Sequence, residues 1–212
     1  MPFPLSCRAA RRAASLGGLI AGFAILVPTV AVAAAILATG AAAQPASDAA
    51  MSRPSAHAFS FDGIEGGRID LAGFAGRPIL VVNTASRCGF TNQLAGLQTL
   101  HERYSPRGLV VIGVPSNDFR QELADDAAIA AFCEGAYGVT FPLAASTHVL
   151  GPNAHPFYAW AARERPGEGP RWNFHKYLVG ADGRIAATFS TTTEPTDPRV
   201  TAMIELALGG GS

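Results

Sequence analysis

Two short runs of apolar residues, Ile79 to Val82 and Leu109 to Val114, bracket a segment in which Leu94, Leu97, Leu100 and Tyr104 recur at helical spacing. A strand with no polar face is covered on both sides, so these runs belong in the middle of a sheet with helices packed over it. The same reading places a second helix over Ala127 to Tyr137 and a strand pair over Tyr177 to Val179 and Ile185 to Phe189, turning at Asp182-Gly183. A closing helix follows over Val200 to Leu208. Ahead of them, Phe59-Ser60-Phe61 and Arg68-Ile69-Asp70-Leu71 flank Gly63, Gly66 and Gly67 as an opening hairpin. No strand-to-helix step follows those glycines, so they are turn residues and not a phosphate cradle.

Alternating β and α segments with a hairpin at the end describe an α/β, thioredoxin-like fold over residues 59–208: a central mixed β-sheet flanked by helices, with an N-terminal β-hairpin. The rest of the 212 residues is of another kind. From Ala13 to Ser47 thirty-five consecutive residues carry no charge, and Arg8, Arg11 and Arg12 stand just before them. Residues 1–43 therefore read as a membrane-targeting segment. It is either a signal peptide cut after Ala41-Ala42-Ala43 or a retained anchor through Leu16 to Leu37, long enough as a helix to cross about 30 Å of hydrocarbon. Both place the protein in the periplasm or on the outer face of the inner membrane; a true start at Met51 would leave it in the cytoplasm. Residues 44–58, rich in Ala, Ser and Pro, read as a linker, and residues 209–212 as a flexible tail. Removing Arg8, Arg11 and Arg12 from 16 basic side chains leaves 13 against 16 acidic ones, a mildly acidic body without a field for nucleic acid.

Three cysteines, Cys7, Cys88 and Cys133, are too few for a disulfide-stapled scaffold. Taken alone, a cysteine is more often a small buried apolar residue than a nucleophile. Position singles out Cys88, which lies between the first buried strand and its helix. A cysteine just ahead of a helix N-terminus faces free backbone N–H groups that favour its thiolate. Three residues on stands Thr91, so no local Cys-x-x-Cys disulfide forms. His57, His101, His148, His155 and His175 show no metal-ligand spacing. Neither a metal nor another cofactor is expected.

Five blocks in order and spacing carry a resemblance: VNTASRCGFT (82–91), GVPSNDFRQE (113–122), YGVTFPL (137–143), AHPFYAW (154–160) and WNFHKYLV (172–179). Together they resemble the motifs of the glutathione peroxidase family in its cysteine-containing bacterial form, over about residues 57–208. The resemblance implies a thiol peroxidase acting on hydrogen peroxide and on organic or lipid hydroperoxides. It puts the peroxidatic cysteine at Cys88 and the polar residues around it at Gln121, Trp172 and Asn173. Those residue types suit the chemistry, because attack on an O–O bond needs a thiolate and a proton for the departing oxygen, and neutral donors add no competing charge. Gln offers an amide N–H, Trp an indole N–H, and Asn both donates and accepts. The sulfenic acid so formed needs a second thiol before more peroxide drives it to irreversible sulfinic acid. Thioredoxin-dependent members carry their resolving cysteine in this region, which implies Cys133 and an internal Cys88 to Cys133 disulfide. The other reading of Cys133 is a buried apolar residue.

The chain also departs from that family. Ser116 stands where many members have a further cysteine. The segment Asp118-Phe119-Arg120-Gln121 is one residue short and lacks its glycine, and Leu123-Ala124 replaces the usual Pro-Gly, so the loop presenting Gln121 is altered. The connection from Ala162 to Trp172 lacks the insert through which tetrameric members assemble, which implies a monomer. No cluster of Arg or Lys stands ready for glutathione, which favours a thioredoxin-like protein as reductant over glutathione. Two rivals remain. A membrane-tethered redox sensor would oxidise once and stop, and a thiol-disulfide oxidoreductase of the same fold is disfavoured by Thr91.

Overall fold

The computed structural model describes residues 53–209. The segment read as a signal or anchor, Cys7, most of the linker and residues 210–212 lie outside them. The described chain runs β1 (Ser60–Asp62), β2 (Arg68–Asp70), β3 (Ile79–Thr84), α1 (Gln93–Tyr104), β4 (Val110–Pro115), α2 (Asp126–Tyr137), α3 (Pro156–Glu164), β5 (Lys176–Val179), β6 (Ile185–Phe189) and α4 (Pro198–Gly209). The hairpin pairs β1 with β2 in antiparallel register, Phe61 opposite Ile69. The main sheet has the order β4-β3-β5-β6, with β3 and β4 parallel and the other neighbours antiparallel. This is the mixed sheet of the expected α/β, thioredoxin-like fold.

Every residue of β3 and β4 is buried, as unbroken apolar runs require. Alternation along the strands divides the core. Leu80, Val82, Val111 and Leu178 face α1, α2 and α4, meeting Leu94, Leu97, Ile129, Cys133, Val200 and Ile204. Ile79, Val81, Ile112, Tyr177 and Val179 face α3 and the hairpin, meeting Phe157, Trp160 and Phe61.

Two features differ from the sequence reading. Helix α3 had no counterpart in it. The residues Phe157, Tyr158, Trp160 and Ala161 form its buried side, Pro156 occupies its first turn, and the His155 side chain caps it by accepting from the Phe157 amide at 3.2 Å. Packing against the domain also begins ahead of Phe59. Ala56 is fully buried, its amide donates to the Gly183 carbonyl at 2.9 Å, and the Trp160 indole donates to the Pro54 carbonyl at 2.8 Å.

Candidate active site

Parallel β3 and β4 end at the same edge of the sheet, and antiparallel β5 starts there, Lys176 opposite Val82. Three loops meet at that edge: residues 85–92, 116–125 and 171–175. They carry Cys88, Gln121, and Trp172 with Asn173.

Cys88 sits in a tight turn built by Thr91. The Thr91 hydroxyl lies 2.6 Å from the Cys88 carbonyl and 2.9 Å from the Ala85 carbonyl, which share its one proton, and it accepts from the Cys88 amide at 3.0 Å. The residue that replaces a second cysteine thus ties the loop together. Cys88 is 8% exposed, and its sulfur accepts from the Phe90 amide at 3.4 Å. Helix α1 starts only at Gln93, so this turn, and not the first turn of the helix, supplies the backbone donor at the sulfur.

The loop after β4 is bound to the cysteine turn at two points. The Arg87 amide donates to the Gln121 carbonyl at 2.8 Å, and the Ser86 amide to Glu122 Oε1 at 2.9 Å. Asp118 anchors the far side of that loop, accepting from His148 at 2.7 Å, Val149 at 2.7 Å and Leu150 at 3.0 Å. Burial works against its carboxylate, but those donors prevail and hold it below the ordinary range. Despite the shortened loop, Gln121 reaches the site. Asn173 Nδ2 donates to Gln121 Oε1 at 3.0 Å, which turns the Gln121 amide N–H group to the other side.

Asn173 is fully buried and Trp172 is 39% exposed, its ring 5.2 Å from that of Phe119. Both are held by Asn83 at the end of β3. Its side chain donates to the Trp172 carbonyl at 3.1 Å and accepts from the His175 amide at 3.1 Å, and its carbonyl accepts from the Phe174 amide at 2.6 Å. Beneath this segment the buried Lys176 ammonium donates to the Phe174 carbonyl and to Gln93 Oε1, both at 2.7 Å. Burial lowers its pKa to about 8. Gln93 donates on to the Thr191 carbonyl at 2.7 Å, and the Thr191 hydroxyl returns to the Asn173 carbonyl at 2.7 Å. Asn83, Lys176, Gln93 and Thr191 were not singled out in the sequence. Asn83 and Lys176 lie inside the quoted motif blocks, which was the available signal.

The structure brings Cys88, Gln121, Trp172 and Asn173 to one edge. Cys133 does not join them there. It is a free thiol in the last turn of α2, 2% exposed. Its carbonyl accepts from the Gly138 and Val139 amides that close the helix. Burial, with the charge of Glu122, pushes its pKa up to about 12. Arg87, Arg120 and Arg171 are exposed, each precedes a site residue, and none forms an ion pair among the described residues.

A buried free cysteine lies at the strand edge of a thioredoxin-like sheet, with side-chain amides converging next to its turn. Residues 56–162 match the family described as glutathione peroxidase. The chain belongs to the glutathione peroxidase family and is a peroxidase-type oxidoreductase. It is 40% identical over 149 residues to hydroperoxy fatty acid reductase gpx1 of Synechocystis, covering 66% of this chain and 88% of the relative. It is 39% identical over 135 residues to glutathione peroxidase-like peroxiredoxin gpx1 of Schizosaccharomyces pombe, covering 62% and 85%. The crystal structure of T. cruzi GPX1 superposes with a TM-score of 0.62 at 27% identity, covering 75% of this chain and 99% of that one.

Proposed function

We propose that this protein reduces hydrogen peroxide and organic or lipid hydroperoxides with Cys88 as nucleophile. The thiolate attacks one peroxide oxygen, the O–O bond breaks, and the other oxygen leaves with a proton as water or alcohol. Cys88 is left as a sulfenic acid. The Gln121 amide and the Trp172 indole serve as neutral donors to the departing oxygen, and Asn173 orients Gln121. The observation that carries this reading is the hydrogen bond from Asn173 to Gln121, which joins residues 52 positions apart at a loop bonded to the Cys88 turn. A cleft of about 420 Å³ lined by Arg171, Trp172, His175, Thr188 and Thr191 gives an organic hydroperoxide room for its carbon chain. The name of the Synechocystis relative accords with that substrate class.

In the second half of the cycle Cys133 condenses with the sulfenic acid, and a thioredoxin-like dithiol reopens the disulfide. The light anchoring of α2 supports this. The helix buries Ile129 and Cys133 alone and contains Gly135, so local opening is cheap. Cys133, as a second thiol in the domain, is the main ground for preferring a dithiol to glutathione. The uncharged N-terminal segment supports export to the periplasm or attachment at the outer face of the inner membrane.

Coupled NADPH oxidation tests the cycle, with thioredoxin and its reductase or glutathione and its reductase supplied in excess. Repeated turnover is expected with thioredoxin, and Cys133→Ser is expected to lose about tenfold or more of it. Unchanged thioredoxin-supported turnover in Cys133→Ser returns that residue to core packing. A single equivalent of peroxide consumed per chain makes the protein a sensor.

A further inference from the structure

Glu122 is a buried carboxylate with half of its hydrogen-bonding capacity unused. It is 7% exposed, and its Oε1 accepts from the Ser86 amide at 2.9 Å and the Leu123 amide at 2.8 Å. Its own amide donates to Asn117 Oδ1 at 3.2 Å, which fixes the backbone. Oε2 is buried without a partner. A carboxylate oxygen in that state is costly, and such groups in native proteins call for an explanation. Through Ser86 the residue grips the turn that carries Cys88, and through Leu123 it grips the lead into α2, which carries Cys133.

We infer that Glu122 is the proton acceptor for Cys133 when the disulfide closes. The inference rests on Cys133 being the resolving thiol. In the step, the Cys133 S–H proton passes to Glu122 Oε2 as the sulfur electron pair forms the S–S bond to Cys88. The S–O bond of the sulfenic acid breaks, and the departing hydroxide takes up the proton held on Glu122, which gives water and restores the carboxylate. Thiol and sulfenic acid thus give disulfide and water, with no outside oxidant or reductant.

The electrostatics favour this route over loss of the proton to solvent. Burial, and after it the charge of Glu122, raises the Cys133 pKa to about 12, so a free thiolate there is expensive. Of the other acids of the region, Asp125 and Glu134 are exposed, and Asp126 is half-buried and accepts from the Ser146 amide at 2.9 Å. Burial disfavours a thiolate at Cys133, and a base that takes the proton as the S–S bond forms avoids one.

The test separates the two chemical steps in the full chain. Protein is mixed with one equivalent of hydrogen peroxide and quenched at intervals, and mass spectrometry counts sulfenic acid and Cys88 to Cys133 disulfide from pH 6 to 9. In the unaltered protein the closure rate is expected to stay nearly flat across that range. Glu122→Gln keeps an oxygen acceptor for Ser86 and Leu123 but cannot take the proton. Its closure is expected to slow by about ten- to a hundredfold and to climb about tenfold per pH unit as hydroxide replaces the lost base. Glu122→Asp is expected to recover part of the rate and the flat profile. Normal closure in Glu122→Gln overturns the inference, as does equal loss in both variants with the original pH profile. Should the variants not fold, a tenfold climb per pH unit in the unaltered protein overturns it as well. Absence of any Cys88 to Cys133 disulfide in the unaltered protein refutes the resolving role itself, a separate outcome.

Discussion

Arg120 and Phe174 are the non-glycine residues with left-handed backbone among those described, at φ 58° and 61°, and each adjoins a site residue. Such a conformation costs a side-chain-bearing residue about 1–2 kcal/mol and persists where the surroundings over-determine it. Arg120 lies in the loop from which the family's glycine is missing. Around Phe174 the constraint has names: Asn83 on one side and Lys176 on the other. Asn83→Ala is therefore expected to lower stability by about 2–4 kcal/mol, because the Trp172 carbonyl and the His175 amide lose their partners. It is also expected to slow peroxide reduction by about tenfold or more through displacement of Trp172 and Asn173. Urea unfolding and a peroxide assay on one preparation check both effects. Full activity in a destabilised protein would show that Asn83 supports the fold without setting the site. The sequence motifs marked the residues proposed to meet the substrate but not those that hold them in place. A lysine reads by default as a solvated charge, and only the fold reveals that Lys176 is buried between Gln93 and the Phe174 carbonyl.

Among the elements, α2 is the one whose loose packing bears on the proposed resolving step. Six residues of α1 are buried, against two in α2. The N-terminus of α2 is capped by Asp125, whose side chain accepts from the Ala128 amide at 2.8 Å. Asp125→Ala is expected to cost about 1 kcal/mol of stability and, by making α2 easier to open, to speed disulfide closure about fivefold. Denaturant midpoints and quenched-flow mass spectrometry measure the two changes; a slower closure would mean that the helix need not open. The strands of the main sheet and helices α1, α2 and α4 were legible because each has a clean period, continuous for buried strands and every third or fourth residue for helices. Helix α3 was not, because its aromatic stretch Phe157-Tyr158-Ala159-Trp160 suits a strand as well as a helix. The deciding signal was local: His155 as cap and Pro156 in the first turn. Cys133 was legible as a second thiol, but its depth in the core followed only from how α2 packs.

At the scale of the whole molecule, the two apolar layers on either side of the sheet enclose several groups that must stay neutral. Burial raises Tyr158 well above its ordinary value and lifts Tyr177 to about 12; burial and Glu122 lift Cys133 to about 12. Each contributes stability that is fully present below its unfolded pKa, 9.0 for Cys and 10.0 for Tyr, and is lost as pH rises toward the folded value. Lys176 has the opposite sign, since a pKa lowered to about 8 gives stability that is present above 10.5 and lost as pH falls through 8. Three acids outweigh one base, so urea midpoints are expected to fall between about pH 9 and 12; midpoints that climb across this range would contradict the assignment. The central claim, however, is that one sulfur at the edge of the sheet does the chemistry. Its most direct test is rapid mixing of the reduced protein with one equivalent of hydrogen peroxide, reading both peroxide remaining and Cys88 sulfenic acid. The unaltered chain and Cys133→Ser are expected to consume the equivalent, and Cys88→Ser to consume none above the uncatalysed rate. Peroxide consumption by Cys88→Ser at the rate of the unaltered chain would contradict the account.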